Sequence, residues 1–199
     1  MSSAGGRNRI YRTLEEMVSP EHTALIAWDV QRALVGMAFN RDEFLANMNR
    51  LIEAARGAGV PVIYTMIDPL PPRFASPVQA ALGRSWGNVD RSMFELALQP
   101  RGDEVVVRKN TASAFVGTNV ELMLRNAGID TVVIGGISTE YGVESTARDG
   151  VNRGFYMVVA GDASSSSDRA AHERSLENMR RLGLIVVART DEIVRAWRR

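Results

Sequence analysis

Residues 131–137 have the sequence Thr131-Val-Val-Ile-Gly-Gly-Ile137, a nearly continuous apolar run without alternating polar residues. Such a run is typical of a parallel strand that helices cover on both faces, whereas a strand with one face in water alternates apolar and polar residues. Five further runs of this kind are spread along the chain: Thr23-Ala-Leu-Ile-Ala-Trp28, Pro61-Val-Ile-Tyr-Thr-Met-Ile67, Glu104-Val-Val-Val-Arg108, Tyr156-Met-Val-Val-Ala160 and Leu184-Ile-Val-Val-Ala188. The sequence therefore predicts six parallel strands.

Amphipathic segments separate these strands. Between residues 42 and 58, apolar side chains recur at the spacing of one helix face, and Gly59 provides a stop signal. Four more helices are expected, at about residues 118–126, 140–153, 168–182 and 190–197. Alternating strands and helices imply right-handed crossovers. We predict an α/β fold, a three-layer sandwich with a six-stranded parallel sheet, formed by residues 1–199 as one domain with residues 1–20 as an N-terminal extension.

The composition excludes several classes of protein. The 199 residues carry a net charge of +1, which is too small for a protein whose main partner is nucleic acid. The absence of cysteine excludes disulfides, thiolate metal sites and thiol nucleophiles. The N-terminal segment has no apolar h-region, and no apolar run approaches the roughly 18–20 residues that a membrane span needs. We predict a cytoplasmic protein that binds neither nucleic acid nor membranes.

Two candidate functional residues directly follow predicted strands. Asp29 follows the first strand and Lys109 follows the third, and Lys109 is the only lysine among the 24 basic residues. Ligands of open parallel sheets bind outside the carboxyl ends of the strands, so both side chains are expected at that edge. Each also has an ordinary interpretation, because an Asp at such a position often caps a turn and a Lys there is usually solvated.

Other polar features are interpreted as structural. His22 and His172 are the only histidines, and both are expected at the surface, too few for a multi-histidine metal site. Residues 164–167 are all serine and are expected to form a loop that leads into a helix. Residues 68–90 contain four prolines and are expected to form an irregular lid over a binding site.

Three motifs occur in order along the chain: Trp28-Asp29-Val30-Gln31, Lys109-Asn-Thr-Ala-Ser-Ala-Phe115 and Gly135-Gly-Ile-Ser-Thr-Glu-Tyr-Gly-Val-Glu-Ser-Thr-Ala-Arg-Asp149. With these motifs the chain resembles the isochorismatase-like hydrolases, also called the cysteine hydrolase superfamily, from about residue 20 to residue 190. The resemblance implies a Rossmann-like enzyme that hydrolyses a small molecule. It also implies a homo-oligomer, a dimer or a tetramer.

The resemblance implies a set of catalytic residues as well. In members that use a thiol, an Asp, a Lys and a Cys form this set, and their positions fall on Asp29, Lys109 and Gly142. A cis peptide bond is expected between Ile137 and Ser138, and the backbone N–H groups of Ser138 and Gly142 are expected to face a developing oxyanion. Gly142 has no side chain that could attack a substrate, so the sequence departs from the thiol pattern here.

Further residues are expected to bind the substrate: Phe115, Ser138 and Tyr141 from the motifs, and Gln79, Arg84 and Trp86 from the predicted lid. By resemblance, the isochorismatases carry a carboxylate-binding Arg where this chain has Gln79, and Arg84 or Arg73 could take over that contact. Thiol-using members often bind a metal through an Asp-x-His unit after the second strand. This chain has Asp68-Pro69-Leu70 there, so we predict neither a metal nor a cofactor.

The glycine at position 142 leaves three interpretations open. The first is vinyl-ether hydrolysis as in the isochorismatases proper, which also carry Gly at this position and need an acid, for which Asp29 is the candidate. The second is a cysteine amidohydrolase whose nucleophile has been lost, in nature or by experiment, and replaced by Gly142. The third is a non-catalytic relative that binds a small molecule.

Overall fold

The computed structural model describes residues 10–68, 70–78, 80–81 and 91–198. Six strands form one sheet: β1 (Thr23–Trp28), β2 (Val62–Ile67), β3 (Val105–Lys109), β4 (Thr131–Ile137), β5 (Tyr156–Ser165) and β6 (Ile185–Ala188). Their order is β3-β2-β1-β4-β5-β6, and every neighbouring pair is parallel. The predicted six-stranded parallel sheet is confirmed.

The strand order reverses between β1 and β4. From β1 the chain adds β2 and β3 on one side, and it then returns to add β4, β5 and β6 on the other. Strands β1 and β4 pair along their length, up to the pairing of Trp28 with Gly136. In doubly wound sheets the crevice beyond the carboxyl ends at such a reversal is the usual ligand site. Asp29 and Ser138 lie at this reversal because Asp29 directly follows β1 and Ser138 directly follows β4.

Helices cover both faces of the sheet, which confirms the three-layer architecture. They include α1 (Leu14–Met17), α2 (Arg32–Gly36), α3 (Arg41–Ala58), α4 (Val120–Asn126), α5 (Glu144–Asn152), α6 (Arg169–Arg181) and α7 (Thr190–Trp197). Helices α3 and α7 pack on one face, and α4, α5 and α6 pack on the other. Along β1, Ala27 points to the first core and Trp28 points to the second. Within the described part of the chain, no helix is long and apolar enough to cross a membrane.

Two strands differ from the prediction. Strand β3 is at the edge of the sheet, and Val105 and Val106 are 40% and 39% exposed, so the expectation of burial on both faces is wrong for this strand. Strand β5 continues through Ser165, and the expected serine loop is wrong there, because Ser164, Ser165 and Ser166 are fully buried. The hydroxyl of Ser165 donates to the Asn40 side chain at 2.6 Å, which allows a polar side chain in the sheet.

The N-terminal segment packs on the domain from Tyr11 onward. The Tyr11 ring stacks on His22 at a centroid distance of 4.6 Å, and its hydroxyl donates to Asp130 at 2.9 Å. His22 is buried in this cluster, and the prediction that it lies at the surface is wrong. The backbone carbonyl of Val18 accepts a hydrogen bond from Nε1 of Trp197 at 2.8 Å, which ties the segment to α7.

Candidate active site

Asp29 and Lys109 meet at the carboxyl edge of the sheet. The Lys109 ammonium lies 2.6 Å from Oδ2 of Asp29, and both side chains are buried. Asp29 follows β1 in the left-handed region, with φ of 46°, a conformation that Asp tolerates better than most residues. From the intervening strand β2, the Thr65 hydroxyl donates to Oδ1 of Asp29 at 2.6 Å. Three adjacent strands thus fix this carboxyl group.

The Lys109 ammonium has two further neighbours. It donates to the backbone carbonyl of Thr111 at 3.1 Å, and it lies 3.9 Å from the ring centroid of Trp28. An ammonium over an indole face is stabilised by the negative electrostatic potential of the ring. The cation is therefore held from three directions by a carboxylate, a carbonyl oxygen and an aromatic ring.

Burial shifts both members of this pair toward their neutral forms. It raises the pKa of Asp29, although the charge of Lys109 and the hydrogen bonds from Lys109 and Thr65 act in the opposite direction. Burial likewise lowers the pKa of Lys109, and Asp29 opposes that shift. A carboxyl group in this position retains a proton more easily than a solvated one, which is a property of a general acid.

The chain turns sharply beside this pair. The peptide bond between Ile137 and Ser138 is cis, and a π-helical turn, Thr139–Val143, replaces the first part of the helix expected at 140–153. The Gly142 N–H group donates to the Ser138 carbonyl oxygen at 3.0 Å. This N–H is thus bonded within the turn, and its expected role facing an oxyanion stays a prediction. For the N–H group of Ser138 the same role stays a prediction.

His172 supports the π-helical turn from α6. Its Nδ1 lies 2.8 Å from the Thr139 hydroxyl, which donates to the backbone carbonyl of Ser165 at 2.9 Å. Because the hydroxyl proton is used in that bond, Nδ1 of His172 must be the donor to Thr139. His172 is buried, which lowers its pKa, and the prediction that it lies at the surface is wrong.

Trp28 occupies the space next to Gly142. A Cβ atom on Gly142 would lie 1.8 Å from Cη2 and Cζ2 of Trp28 and 2.4 Å from Cε2. These distances are far below van der Waals contact, so no side chain fits at position 142 unless Trp28 moves. The indole ring thus stands where the side chain of a nucleophile would begin.

A second glycine gives Trp28 room on the neighbouring strand. At Gly136, with φ of 150°, a Cβ atom would lie 2.0 Å from the Trp28 carbonyl oxygen and 2.7 Å from the Trp28 Cβ. The glycines at positions 136 and 142 therefore both accommodate this one residue. The sequence did not predict the contact of Trp28 with these glycines, although a bulky aromatic residue directly before Asp29 was a signal that the space around it is filled.

The indole N–H group of Trp28 is unpaired within the part of the chain that the structure describes. Nε1 is buried, and it has no hydrogen-bond partner among the residues that the structure describes. Leaving a buried donor unpaired costs about 1–3 kcal/mol. Nε1 of Trp197, by contrast, is paired with the Val18 carbonyl.

The structure places the other predicted substrate-binding residues in different parts of the molecule. Phe115 is buried in the core and stacks on Phe155 at a centroid distance of 5.5 Å. Because Phe155 directly precedes β5, this contact lies at the opposite edge of the sheet, and the prediction for Phe115 is wrong. Tyr141 lies in the π-helical turn, and this residue is 57% exposed. Three predicted residues lie outside the described part of the chain: Gln79, Arg84 and Trp86.

The acid that follows β2 is part of a surface ion pair. Asp68 lies 3.1 Å from a guanidinium nitrogen of Arg108, and its backbone carbonyl accepts a hydrogen bond from the Asn110 side chain. Among the described residues, no group of three or more His, Cys, Asp or Glu side chains is arranged to hold a metal ion.

A doubly wound parallel sheet defines an α/β protein of the class that binds small molecules beyond the carboxyl edge, and the buried Asp–Lys pair lies at its topological reversal. The model of the Isochorismatase domain matches residues 23–191. The chain belongs to the isochorismatase family of hydrolases, which confirms the resemblance and the hydrolase class.

Individual relatives agree with this assignment. The isochorismatase family protein YecD of Escherichia coli is 32% identical over 168 residues, which cover 79% of this chain and 87% of the relative. Nicotinamidase 3 of Arabidopsis thaliana is 28% identical over 185 residues, covering 88% of this chain and 89% of the relative. The crystal structure of a cysteine hydrolase from Pseudomonas syringae pv. phaseolicola superposes with a TM-score of 0.81 at 26% identity, covering 90% of this chain and 93% of that structure.

Proposed function

We propose that this protein hydrolyses a small carboxylate or carbonyl compound by acid catalysis, with Asp29 as the proton donor and Lys109 as the charge partner of an anionic substrate. The observation that carries the proposal is the buried Asp29–Lys109 pair at 2.6 Å, beside a position 142 at which the Trp28 ring leaves no room for a nucleophile. Asp29 is a group that can act as an acid catalyst, whereas position 142 supplies no nucleophile for covalent catalysis.

Hydrolysis of a vinyl ether, as in isochorismate, is the chemistry that needs an acid and no nucleophile. The Asp29 carboxyl proton moves to the enol carbon, and the ether oxygen shares its lone pair to form an oxocarbenium ion. Water adds to the cationic carbon and returns one proton to the Asp29 carboxylate. The hemiketal then transfers its hydroxyl proton to the ether oxygen, which leaves as an alcohol, and a ketone remains.

Lys109 provides the link between substrate binding and the proton on Asp29. Its ammonium opposes protonation of Asp29 as long as the two groups are paired, whereas burial favours protonation. An anionic group of the substrate can replace the carboxylate as the partner of the ammonium. Asp29 then keeps its proton without leaving a buried charge unpaired.

The alternative is a cysteine amidohydrolase whose nucleophile has been lost. Relatives that carry amidohydrolase names, such as nicotinamidase 3, support it. The packing of Trp28 argues against a single replaced residue, because a cysteine at position 142 would begin inside the indole ring. A non-catalytic binding protein is the remaining alternative, and it would retain the same pair and the same packing.

Turnover assays with isochorismate and with a panel of small amides test the proposal. We expect the vinyl ether to be hydrolysed and the amides to stay intact, and we expect Asp29→Asn to slow the reaction at least about 100-fold. Asp68→Asn is the matched control, since Asp68 follows β2 at the same edge but is exposed and should leave turnover near that of the unmodified protein. Full turnover by Asp29→Asn, or hydrolysis of amides alone, contradicts the proposal.

A binding protein would behave differently in the same experiment. Its melting temperature would rise with added ligand, and no product would form.

We also propose that the protein is cytoplasmic. We further propose that it forms a dimer or a tetramer, as the family resemblance supports. Sedimentation of the purified protein tests the oligomeric state, and a monomer at micromolar concentration contradicts it.

A further inference from the structure

We propose that Trp28 is a substrate-binding residue, whose indole N–H group donates a hydrogen bond to a carbonyl or carboxylate oxygen of the bound molecule. This inference rests on the proposed function for the class of substrate, and it adds a recognition group to the Asp–Lys pair. Three observations carry it: the position of the N–H group, its lack of a partner and the cation above the ring.

The N–H group belongs to the ring that contacts the proposed catalytic pair. The edge of the indole that faces Gly142 consists of Cη2, Cζ2 and Cε2, and Nε1 is bonded directly to Cε2. Asp29, the proposed proton donor, is the next residue in the chain. The Lys109 ammonium contacts both the Trp28 ring and Asp29, so a molecule that binds at this ammonium comes within reach of the indole donor.

The N–H group is available for a ligand. It is buried, and no acceptor among the described residues satisfies it, whereas the equally buried indole of Trp197 is paired at 2.8 Å. Buried donors in native proteins are nearly always paired, so an exception next to a functional site calls for a partner beyond the described residues. A substrate oxygen is such a partner.

The charge above the ring favours an anionic acceptor. The Lys109 ammonium lies 3.9 Å from the Trp28 ring centroid, and it also contacts Asp29. An oxygen that accepts the indole hydrogen bond lies close to this positive charge in a site with little water, where charge interactions are stronger than in bulk solvent. The indole and the ammonium would thus bind one small anion together.

Nuclear magnetic resonance of the unmodified protein tests the hydrogen bond directly. The chain has three tryptophans, and Trp28→Phe identifies the indole resonance of Trp28 by its loss. The probe is pyruvate, which carries a carboxylate and a ketone, and acetate and acetone separate the two kinds of oxygen. We expect the Trp28 indole ¹H and ¹⁵N signals to shift saturably, with the Trp197 signals unchanged.

Two outcomes of the titration overturn the inference. One is saturable binding that shifts signals near Asp29 but leaves the Trp28 indole signal in place. The other is a lack of saturable binding by all three probes. A shift with pyruvate and acetate but not acetone assigns the acceptor to a carboxylate, and a shift with pyruvate and acetone assigns it to a carbonyl.

Calorimetric titration with pyruvate supplies a second readout. Trp28→Phe should weaken binding about three- to tenfold, the usual effect of one lost hydrogen bond. Trp197→Phe is the matched control, because it removes the same N–H group at a distant site and should leave the affinity unchanged. Equal affinity in Trp28→Phe and the unmodified protein overturns the inference.

The outcomes also separate this inference from the proposed function. If Asp29→Asn retains full turnover while the Trp28 indole signal shifts on binding, acid catalysis by Asp29 fails and the recognition role of Trp28 stands. If Asp29→Asn abolishes turnover and the indole does not respond, the proposed function stands and the role of Trp28 fails.

Discussion

Lys109 reaches past the end of β2 to place its ammonium 2.6 Å from the carboxylate of Asp29, although the strands that carry the two residues are not neighbours. The pair is closed to water, with Thr65 of the intervening strand bonded to the second carboxylate oxygen. Each charge therefore depends on the other for compensation. The consequences for stability can be measured separately from any catalytic activity.

Lys109→Met should destabilise the protein by about 3 kcal/mol or more at neutral pH, because it leaves a buried carboxylate without its cation. Burial raises the pKa of Asp29 in the folded state, and the variant lacks the ammonium that opposes this shift. A raised folded-state pKa stabilises the protein below the unfolded pKa, and this contribution is lost as the pH rises through the folded pKa. The deficit relative to the unmodified protein should therefore grow from acid to neutral pH.

Urea unfolding at several pH values measures this effect. The double variant Asp29→Asn/Lys109→Met is the control, because it has no charge to bury and should recover most of the lost stability. A deficit in Lys109→Met that shrinks as the pH rises would contradict the account of the pair.

Gly142→Cys should destabilise the protein by about 1–3 kcal/mol and should not produce an amidase, because the new Cβ overlaps the Trp28 ring. Adding Trp28→Val removes the overlapping ring, so the double variant should be more stable than the sum of the two single changes predicts. Unfolding curves of the four proteins measure this coupling. If Gly142→Cys alone is as stable as the unmodified protein and hydrolyses amides, Trp28 does not restrict position 142.

Trp28→Phe and Trp197→Phe should differ in their cost to stability. Both rings are buried, and both substitutions remove an indole N–H group. The N–H of Trp197 is bonded to the Val18 carbonyl, whereas that of Trp28 has no partner among the described residues. Trp197→Phe leaves that buried carbonyl unpaired, which adds about 1–3 kcal/mol to the packing loss. Urea unfolding of both variants measures the difference, and an equal or larger loss in Trp28→Phe would show that its N–H is already paired in the folded protein.

The six strands could be predicted from the sequence because short, nearly continuous apolar runs rich in β-branched residues are typical of buried parallel strands. The position of β3 at the edge of the sheet could not be predicted, since the run Val105–Val107 has the same pattern as a central strand. Strand order depends on contacts between distant segments, which a local pattern does not contain. The end of β5 was missed for a related reason, because Ser165 is accommodated by a hydrogen bond to Asn40, far away in the sequence.

The site residues that follow strand ends could be predicted from the sequence, whereas the contacts that depend on side-chain packing could not. Asp29 and Lys109 both follow apolar runs, and parallel strands bring their carboxyl ends to one edge. The contact of Trp28 with Gly142 joins residues of different motifs, so neither residue alone indicated it. Phe115 shares a motif with Lys109 but points to the opposite edge, which spacing along the chain does not reveal.

The pH dependence of catalysis should follow the proton on Asp29. A general acid acts in its protonated form, so kcat/KM should fall as the pH rises through the pKa of Asp29, which burial places above its ordinary value. Thr65 donates a hydrogen bond that favours the carboxylate and lowers this pKa. Thr65→Val should therefore raise the pKa of Asp29 further and move the alkaline decline of kcat/KM to higher pH.

Thr65→Ser is the matched variant, because it keeps the hydroxyl and loses only a methyl group, and its pH profile should stay close to that of the unmodified protein. The profiles are measured with whichever substrate the turnover assays identify. A purely structural role for Thr65 would lower kcat/KM by a constant factor at every pH, without moving the decline. If kcat/KM instead rises with pH through the pKa of Asp29, and this rise moves to higher pH in Thr65→Val, the active form of Asp29 is the carboxylate and Asp29 acts as a base.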